Sequence, residues 1–327
     1  MAALESIRPD VHLLRVPMPG GGLPFSLCYL LEDAAGGVHL IDPGSPGPRA
    51  VAVIEDALRD IGRRLDDVVS ILGTHLHSDH IGAAGAIREA TGARLLLHAR
   101  ERDALAGDGH AGRPSAATLD AATLDAATLD SWGVPADRRP ELLALPVLPA
   151  LPVLPASGAA APDAVLSDGR LLDLPGRRVR ALWTPGHTAG HLCFDDEDHG
   201  LLFTGDHVLP TVNPGLGLGG PADDPIGDYL RSLRRVAALD PVALPGHEAP
   251  FPALRERCAA LAEHHLRRAR EVRDALQARP QATPWELAQG MTWTGGWDGL
   301  AGFTRASALA QTVMHRAFVE SGAPIAW

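Results

Sequence analysis

The chain has 327 residues, of which 46% are hydrophobic and 21% charged, a composition typical of a globular protein with one large domain and a small one. Its formal net charge of −11 argues against a nucleic-acid surface as the main purpose of the fold. All 29 basic residues are Arg, because the sequence contains no Lys. This excludes a Schiff-base Lys, a P-loop Lys and a Lys general base, so Arg, backbone amides or metal ions must hold any anionic part of a substrate.

The sequence also indicates where the protein resides. No apolar run reaches the roughly 20 residues that span a bilayer, and the first residues lack the basic start and apolar middle of a secretory signal. Cys28, Cys193 and Cys258 are too few and too scattered for a disulfide framework. We therefore expect a cytoplasmic protein with no membrane partner.

Strands and helices alternate in the first hundred residues. Apolar and β-branched runs predict five strands, at residues 11–16, 25–31, 38–41, 68–72 and 93–98. Pro48 opens a helical stretch over residues 49–61, and a second helix ends near residue 91. This alternation predicts an α/β layered domain.

Residues from about 107 to 162 break this pattern. Ala-Ala-Thr-Leu-Asp occurs three times over residues 116–130, and Ala-Leu-Pro-Val-Leu-Pro occurs twice over residues 144–155. Both repeats are far too short to be solenoid units. We interpret the segment as a variable insertion over one edge of the domain, with a role in a lid as an open alternative.

Three histidines and a carboxylate follow the strand at residues 68–72 within a six-residue segment, as His75, His77, Asp79 and His80. In extended backbone, residues i and i+2 point the same way, so His75 and His77 can close on one metal ion. Asp79 and His80 lie past the bend, where they could serve a second ion. Surface histidines beside a helix-capping Asp are the alternative, which so dense a cluster disfavours.

Later strands also deliver His or Asp at their carboxyl ends, where α/β proteins tend to place their sites. These residues are His187, Asp206 and His247. Asp42 follows the strand at residues 38–41, and we interpret it as a hydrogen-bond acceptor behind the ligands. Turn initiation by Asp-Pro-Gly is the alternative role for this residue.

Taken in order, these segments resemble the motifs of metallo-β-lactamase-fold hydrolases. The matching motifs are His75-x-His77-x-Asp79-His80, Thr184-Pro185-Gly186-His187-Thr188-x-Gly190-His191, Phe203-Thr204-Gly205-Asp206 and Pro245-Gly246-His247. Asp42 matches the first motif of the family, and the resemblance spans about residues 11–251. It implies an α/β fold of the αββα sandwich class, with the site along one edge of the sheets.

The resemblance also implies a ligand set. One metal ion would be held by His75, His77 and His187. The second would be held by Asp79, His80 and His247, with Asp206 bridging the two ions. Neutral imidazole and carboxylate suit Zn²⁺, and two Zn²⁺ per chain are expected, with iron and manganese as open alternatives.

These expectations lead to a predicted function. Two cations that share a water lower its pKa from 15.7 towards about 7. We predict a dinuclear zinc hydrolase that uses a metal-bridging hydroxide to cleave a small ester, thioester or lactone, with Asp79 and Asp206 as catalytic residues. Two alternatives remain: a metal-dependent endoribonuclease, which the net charge disfavours, and a mononuclear iron sulfur dioxygenase, which shares the His-x-His-x-Asp-His motif.

The C-terminal quarter is helical by pattern. It resembles the small, mainly helical, winged-helix-like domain of the branch that includes the mitochondrial β-lactamase-like endoribonuclease. We therefore predict a catalytic domain at residues 1–252, with the insertion at about 107–162, and a C-terminal domain at residues 253–327.

Four further features near the motifs carry weaker predictions. We expect packing or hydrogen-bonding roles for His191, His207 and Tyr229, with metal ligation by His191 and access of Tyr229 to the site as the alternatives. The apolar, Gly-rich loop at residues 209–220 would cover the acyl part of a substrate or form an ordinary surface connection.

Overall fold

The computed structural model describes residues 4–19, 23–106, 124–144, 161–220 and 222–327. In this part of the chain, seven strands form one sheet in chain order: β1 (Glu5–Arg8), β2 (Val11–Pro17), β3 (Phe25–Glu32), β4 (Val38–Ile41), β5 (Val68–Leu72), β6 (Arg94–His98) and β7 (Ala164–Leu166). Strands β1 to β4 pair antiparallel, whereas β4 to β7 pair in parallel. All five strands predicted in the first hundred residues are confirmed.

A second sheet packs against the first. Its strands are β8 (Val179–Trp183), β9 (Leu192–Asp196), β10 (Leu201–Gly205) and β11 (Val242–Pro245), in the order β11-β10-β9-β8. Strands β8, β9 and β10 pair antiparallel, whereas β10 and β11 are parallel. The carboxyl ends of β10 and β11 therefore lie side by side.

Alternation along the strands builds the layers. In β2, Leu13 faces the second sheet and Leu14 faces the opposite side. Between the sheets, the rings of Tyr29 and Phe203 meet edge to face with centroids 5.1 Å apart. Because both faces of these strands are buried, their sequences are apolar along almost their whole length.

Helices cover the outer face of each sheet. The described residues form α1 (Pro48–Asp60), α2 (Ser78–Ile81), α3 (Ala84–Thr91), α4 (Ala99–Leu105), α5 (Ala126–Ser131), α6 (Arg139–Leu143), α7 (Pro225–Ala237), α8 (Leu254–Ala278), α9 (Pro284–Gly290) and α10 (Gly302–Glu320). Apolar residues of α1 to α4 pack on the first sheet, and those of α7, α8 and α10 pack on the second. The predicted αββα sandwich is confirmed.

The C-terminal region is helical, as predicted. All of residues 254–327 are described, and they contain helices but no β-strand. Leu254, Cys258 and Leu261 of α8 belong to the same apolar cluster as Leu202 of β10 and Leu233 of α7. The first helix after the predicted domain boundary thus completes the core of the preceding domain.

The described part of the insertion packs on these C-terminal helices. Leu129 of α5 and the neighbouring Trp132 share an apolar cluster with Trp285 of α9 and Leu309 of α10. Asp125 caps α5 by accepting a hydrogen bond from the Thr128 amide at 2.7 Å. Apart from residues 124, 125 and 144, the first two five-residue repeats and the Pro-containing repeats lie outside the described residues.

Among the described residues, no helix is both long and apolar enough to cross a bilayer. Cys28, Cys193 and Cys258 are buried and unpaired. This agrees with the expected lack of a disulfide framework.

Candidate metal centre

The predicted ligands converge at one edge of the sandwich. His75, His77 and His80 follow β5, which lies between β4 and β6 in the parallel part of the first sheet. Asp206 follows β10 and His247 follows β11, the parallel pair of the second sheet. The carboxyl ends of strands from both sheets therefore supply the same site.

Three imidazoles form the first half of the site, which we call the three-histidine group: His75, His77 and His187. The Nε2 atom of His75 lies 2.9 Å from Nδ1 of His77, which lies 3.2 Å from Nε2 of His187. Burial lowers the pKa of each imidazole, that of His77 to about 3. The group is therefore neutral at pH 7, the form in which imidazole binds metal.

The loop at residues 209–220 orients two of these rings. Nε2 of His77 donates to the Leu218 carbonyl at 2.7 Å, and Nδ1 of His187 donates to the Gly215 carbonyl at 2.7 Å. Because a neutral imidazole carries one proton, the nitrogen that faces the centre of the group is in each case the unprotonated one.

A hydroxyl orients the third ring. Thr74 Oγ1 donates to the Asp42 carboxylate at 2.6 Å and therefore accepts from Nδ1 of His75 at 2.9 Å. This leaves Nε2 of His75 unprotonated. Lone pairs of all three imidazoles thus converge on a single point.

The second half of the site, which we call the carboxylate group, contains Asp79, His80, Asp206 and His247. Nε2 of His247 lies 3.3 Å from Asp79 Oδ2 and 3.5 Å from Asp206 Oδ2. Asp206 Oδ2 also lies 3.9 Å from Nε2 of His187 in the three-histidine group. Asp206 therefore lies between the two halves, as a bridging ligand would.

Charge holds the carboxylate group together. Burial alone would lower the pKa of His247, but Asp206 and Asp79 raise it to about 9. Burial alone would likewise raise the pKa of Asp206, but His247 and His80 hold it well below its usual range. In the metal-free protein these side chains therefore pair as cations and anions.

Two atoms of this group show that a positive partner fits between the side chains. His80 Nε2 and Asp206 Oδ1 are buried, have no hydrogen-bond partner and lie 3.5 Å apart. Buried polar atoms are rarely left unpaired, so these two atoms are available to a bound species. Imidazole nitrogens and carboxylate oxygens are ligands that zinc, iron and manganese accept. The residues present therefore fit metal ions.

Asp42 has the predicted role of acceptor behind the ligands. It accepts hydrogen bonds from the Thr74 amide at 2.8 Å and from Nδ1 of His80 at 2.9 Å. The backbone of Asp42 has a positive φ of 51°, which is uncommon outside glycine. Asp42, His75 and His80 also lie close enough together to hold an ion, but the Asp42 oxygen contacts the outer nitrogen of His80.

Three neighbouring aromatic residues have packing roles, as expected. The ring of His191 stacks behind His75 at 5.3 Å and its Nδ1 contacts Thr184 Oγ1 at 2.9 Å. His207 packs against the buried ring of Tyr229 at 5.0 Å, and the Tyr229 hydroxyl donates to the His207 carbonyl at 2.8 Å.

Supports outside the motifs were not predicted. Glu248 accepts hydrogen bonds from the amides of Thr211 and Val212, and Arg257 of α8 donates to the Leu209 and Val212 carbonyls, each at 2.7 Å. The start of the loop at residues 209–220 is thus fixed. The adjacency of Glu248 to His247 is the one sequence signal for this arrangement.

Comparison with known proteins assigns the family. The profile of the Metallo-beta-lactamase superfamily matches residues 21–247, a range that contains both halves of the site. The chain belongs to the metallo-beta-lactamase superfamily. A metallo-beta-lactamase family protein from Thermus thermophilus has a similar crystal structure, with a TM-score of 0.70 and 30% identity, covering 97% of this chain and 95% of its own. This similarity to another superfamily member extends into the helical C-terminal region.

Curated relatives include two superfamily members with names that state an activity. Atrochrysone carboxyl ACP thioesterase from Aspergillus fumigatus is 35% identical over 111 residues, which are 34% of this chain and 33% of that protein. Hydroxyacylglutathione hydrolase from Cereibacter sphaeroides is 27% identical over 241 residues, 73% of this chain and 67% of that one. The chain therefore matches about a third of the length of the fungal thioesterase.

Proposed function

We propose that this protein is a dinuclear zinc hydrolase that cleaves a small ester, thioester or lactone, with a thioester as the first candidate. The observation that carries the proposal is the convergence of seven imidazoles and carboxylates, six of them buried, around unpaired atoms of His80 and Asp206. The names of the thioesterase and the hydroxyacylglutathione hydrolase among the relatives support the acyl substrate class.

The two halves of the site have complementary roles in this proposal. The three-histidine group would hold one ion, and Asp79, His80 and His247 would hold the other, with Asp206 placed to serve both. Two bound cations would lower the pKa of a water that they share and polarise the acyl oxygen of the substrate. The position of Asp206 between His187 and His247 suits such a shared water.

The carboxylates face the side from which a substrate enters. The side chains of Asp79 and Asp206 are 13% and 12% exposed, whereas the histidine side chains of the site are at most 5% exposed. Burial would raise the pKa of Asp79, but His80 and His247 lower it, so Asp79 stays ionised at pH 7. An ionised Asp79 accepts a hydrogen bond from the attacking water and orients it.

We also propose that the protein is cytoplasmic. Three buried, unpaired cysteines support a reducing cytoplasm. The net charge of −11 supports a small molecule, rather than RNA, as substrate.

The test uses purified protein loaded with Zn²⁺. We expect two zinc ions per chain by elemental analysis and hydrolysis of at least one member of a panel of acyl thioesters, lactones and aryl esters. His77→Ala and Asp206→Ala should abolish that hydrolysis. Loaded protein that hydrolyses no member would overturn the proposal. Cleavage of single-stranded RNA would instead favour a metal-dependent endoribonuclease. One iron per chain in place of two zincs would favour a sulfur dioxygenase.

A further inference from the structure

A buried glutamate lies behind the metal centre without touching any of the ligands. Glu101, in the first turn of α4, is completely buried. Burial raises its pKa to about 7, although hydrogen bonds from Thr188, Leu76 and Gly190 act in the opposite direction. An ionisable group is costly to bury, so its presence requires an explanation in terms of these contacts.

The contacts of Glu101 join two loops. Its Oε2 accepts from the Leu76 amide at 2.8 Å. Its Oε1 accepts from the Thr188 hydroxyl at 2.8 Å and from the Gly190 amide at 2.7 Å. Leu76 follows β5 of the first sheet, whereas Thr188 and Gly190 lie between β8 and β9 of the second.

These donors flank every ligand of the three-histidine group. Leu76 stands between His75 and His77, and Thr188 directly follows His187. Fixing the Leu76 amide fixes the backbone from which two imidazoles project, and fixing Thr188 does the same for the third. A carboxylate with two oxygens can serve both loops at once.

The neighbouring backbone leaves room for this side chain. A Cβ atom at Gly190 would lie 2.6 Å from Glu101 Oε1 and 2.8 Å from Glu101 Cγ, closer than atoms can pack. The absence of a side chain at Gly190 thus allows the Glu101 carboxylate to approach the loop. Glu101 can occupy this position only because residue 190 is a glycine.

We propose that Glu101 is a positioning residue that aligns the two loops of the three-histidine group and so prepares this group for its metal ion. The inference rests on the proposed function only in that a metal ion binds there. Asp42 supports one ligand in each half, His80 directly and His75 through Thr74, whereas Glu101 acts through the backbone of the three-histidine group alone. Loss of Glu101 should therefore weaken one half of the site and spare the other.

The test follows Co²⁺ binding to metal-free protein by visible absorption, independently of any activity. Wild-type protein should bind Co²⁺ in two phases, and His77→Ala identifies the phase of the three-histidine group by removing it. Glu101→Gln keeps the size of the side chain but places an amide NH₂ against a hydrogen-bond donor. We expect it to weaken the three-histidine phase by about 10–100-fold, the usual cost of losing a support behind a ligand. Asp42→Asn should instead weaken both phases, because Asp42 contacts His80 directly and His75 through Thr74.

A matched control separates positioning from the general cost of neutralising a buried acid. Asp196, at the far end of β9, is also fully buried and accepts from Arg177 Nη2 at 3.0 Å. Asp196→Asn should lower the melting temperature and leave both Co²⁺ phases within about twofold of wild type.

Thr188→Val decides the question if Glu101→Gln does not fold. It removes one donor to Glu101, and we expect a smaller loss in the same Co²⁺ phase. A folded Glu101→Gln variant that keeps the wild-type affinity in this phase would overturn the role of Glu101. If Glu101→Gln does not fold, wild-type Co²⁺ affinity in Thr188→Val would overturn it. Wild-type protein that binds no Co²⁺ at either half would overturn the proposed function instead, so the two failures are distinguishable.

Discussion

The two halves of the metal centre are held by different forces. The three-histidine group is neutral because burial lowers the pKa of each imidazole, and backbone carbonyls of Gly215 and Leu218 orient two of its rings. The carboxylate group is charged, because Asp206 and Asp79 raise the pKa of His247 to about 9. Backbone shape therefore supports one half, and ion pairing supports the other.

The difference has a consequence for metal binding. A cation that enters the three-histidine group meets lone pairs that are already free. A cation in the carboxylate group would replace protons on His80 and His247, whose pKa values Asp206 and Asp79 raise. Substitutions that alter charge, shape or backbone support should therefore affect metal binding differently in the two halves.

Asp206→Ala should have the largest effect, because its carboxylate lies near imidazole nitrogens of both halves. Its Oδ2 atom lies 3.9 Å from Nε2 of His187 and 3.5 Å from Nε2 of His247. We expect thioester hydrolysis to fall by more than the roughly 100-fold that marks the upper range for losing a support behind a ligand. Elemental analysis should find less than the wild-type metal content. Asp195→Ala on β9 is the control, and a loss of similar size in that variant would contradict the assignment.

Gly246→Ala sharpens the comparison by disturbing the carboxylate group alone. A Cβ atom at this position would lie 2.5 Å from His80 Cε1 and 2.6 Å from Asp206 Oδ1, two buried groups with no room to retreat. We expect metal content to fall from two ions to about one, because zinc tolerates little displacement of its ligands. The measurement is elemental analysis after dialysis.

Gly219→Ala is the matched control beside the three-histidine group. Its added Cβ would lie 2.9 Å from Cδ2 of Leu76, the far end of a flexible side chain that can move aside. Metal content should therefore stay at the wild-type level. Equal loss in both glycine variants would show that the two halves do not differ in tolerance.

The same contrast explains what could be predicted from the sequence. Every member of the carboxylate group is a His or Asp in a motif, and Asp42 was predicted as an acceptor because it follows a strand. The supports of the three-histidine group are largely backbone carbonyls. A carbonyl is common to every residue, so no residue type marks Gly215 or Leu218 as a support.

The fold was predictable for a related reason. Alternating apolar residues and strand–helix order are local signals, and they located five of the seven strands of the first sheet. Glu101 was missed because an acid in the first turn of a helix usually interacts with the helix N-terminus. Its true contacts, with Leu76 and Thr188, join segments that only the tertiary fold brings together.

His315→Gln tests, away from the metal centre, whether a buried imidazole stays neutral. His315 of α10 is fully buried beside His265, and burial lowers its pKa to about 3. An unfolded chain takes up this proton near pH 6.5, so stability is lost as the pH falls from about 6.5 towards 3. The variant should reduce the slope of unfolding free energy against pH by about 1.4 kcal/mol per unit in this range. Urea denaturation of metal-free protein at pH 6, 5 and 4 measures it, and identical slopes would contradict the prediction.

Arg257→Ala should have the smallest effect, because it acts on the three-histidine group through the loop at residues 209–220. Arg257 donates to the Leu209 carbonyl and, through Nη2, to the Val212 carbonyl, each at 2.7 Å. Its loss removes one support from the start of the loop but leaves the Glu248 contacts and the histidine contacts in place. We therefore expect the three-histidine Co²⁺ phase to weaken by less than about 10-fold, the lower limit for losing a direct support.

The matched control for Arg257→Ala is Arg255→Ala, two residues earlier on α8, which removes an exposed Arg whose ion pair with Asp240 has an N···O distance of 3.7 Å. Such surface pairs contribute little, so both Co²⁺ phases should be unchanged in this variant. A shift confined to the carboxylate phase in Arg257→Ala would show that α8 supports the other half of the site. Helix α8 would then act on the metal centre through the segment that contains His247 and Glu248, rather than through the carbonyls of the loop.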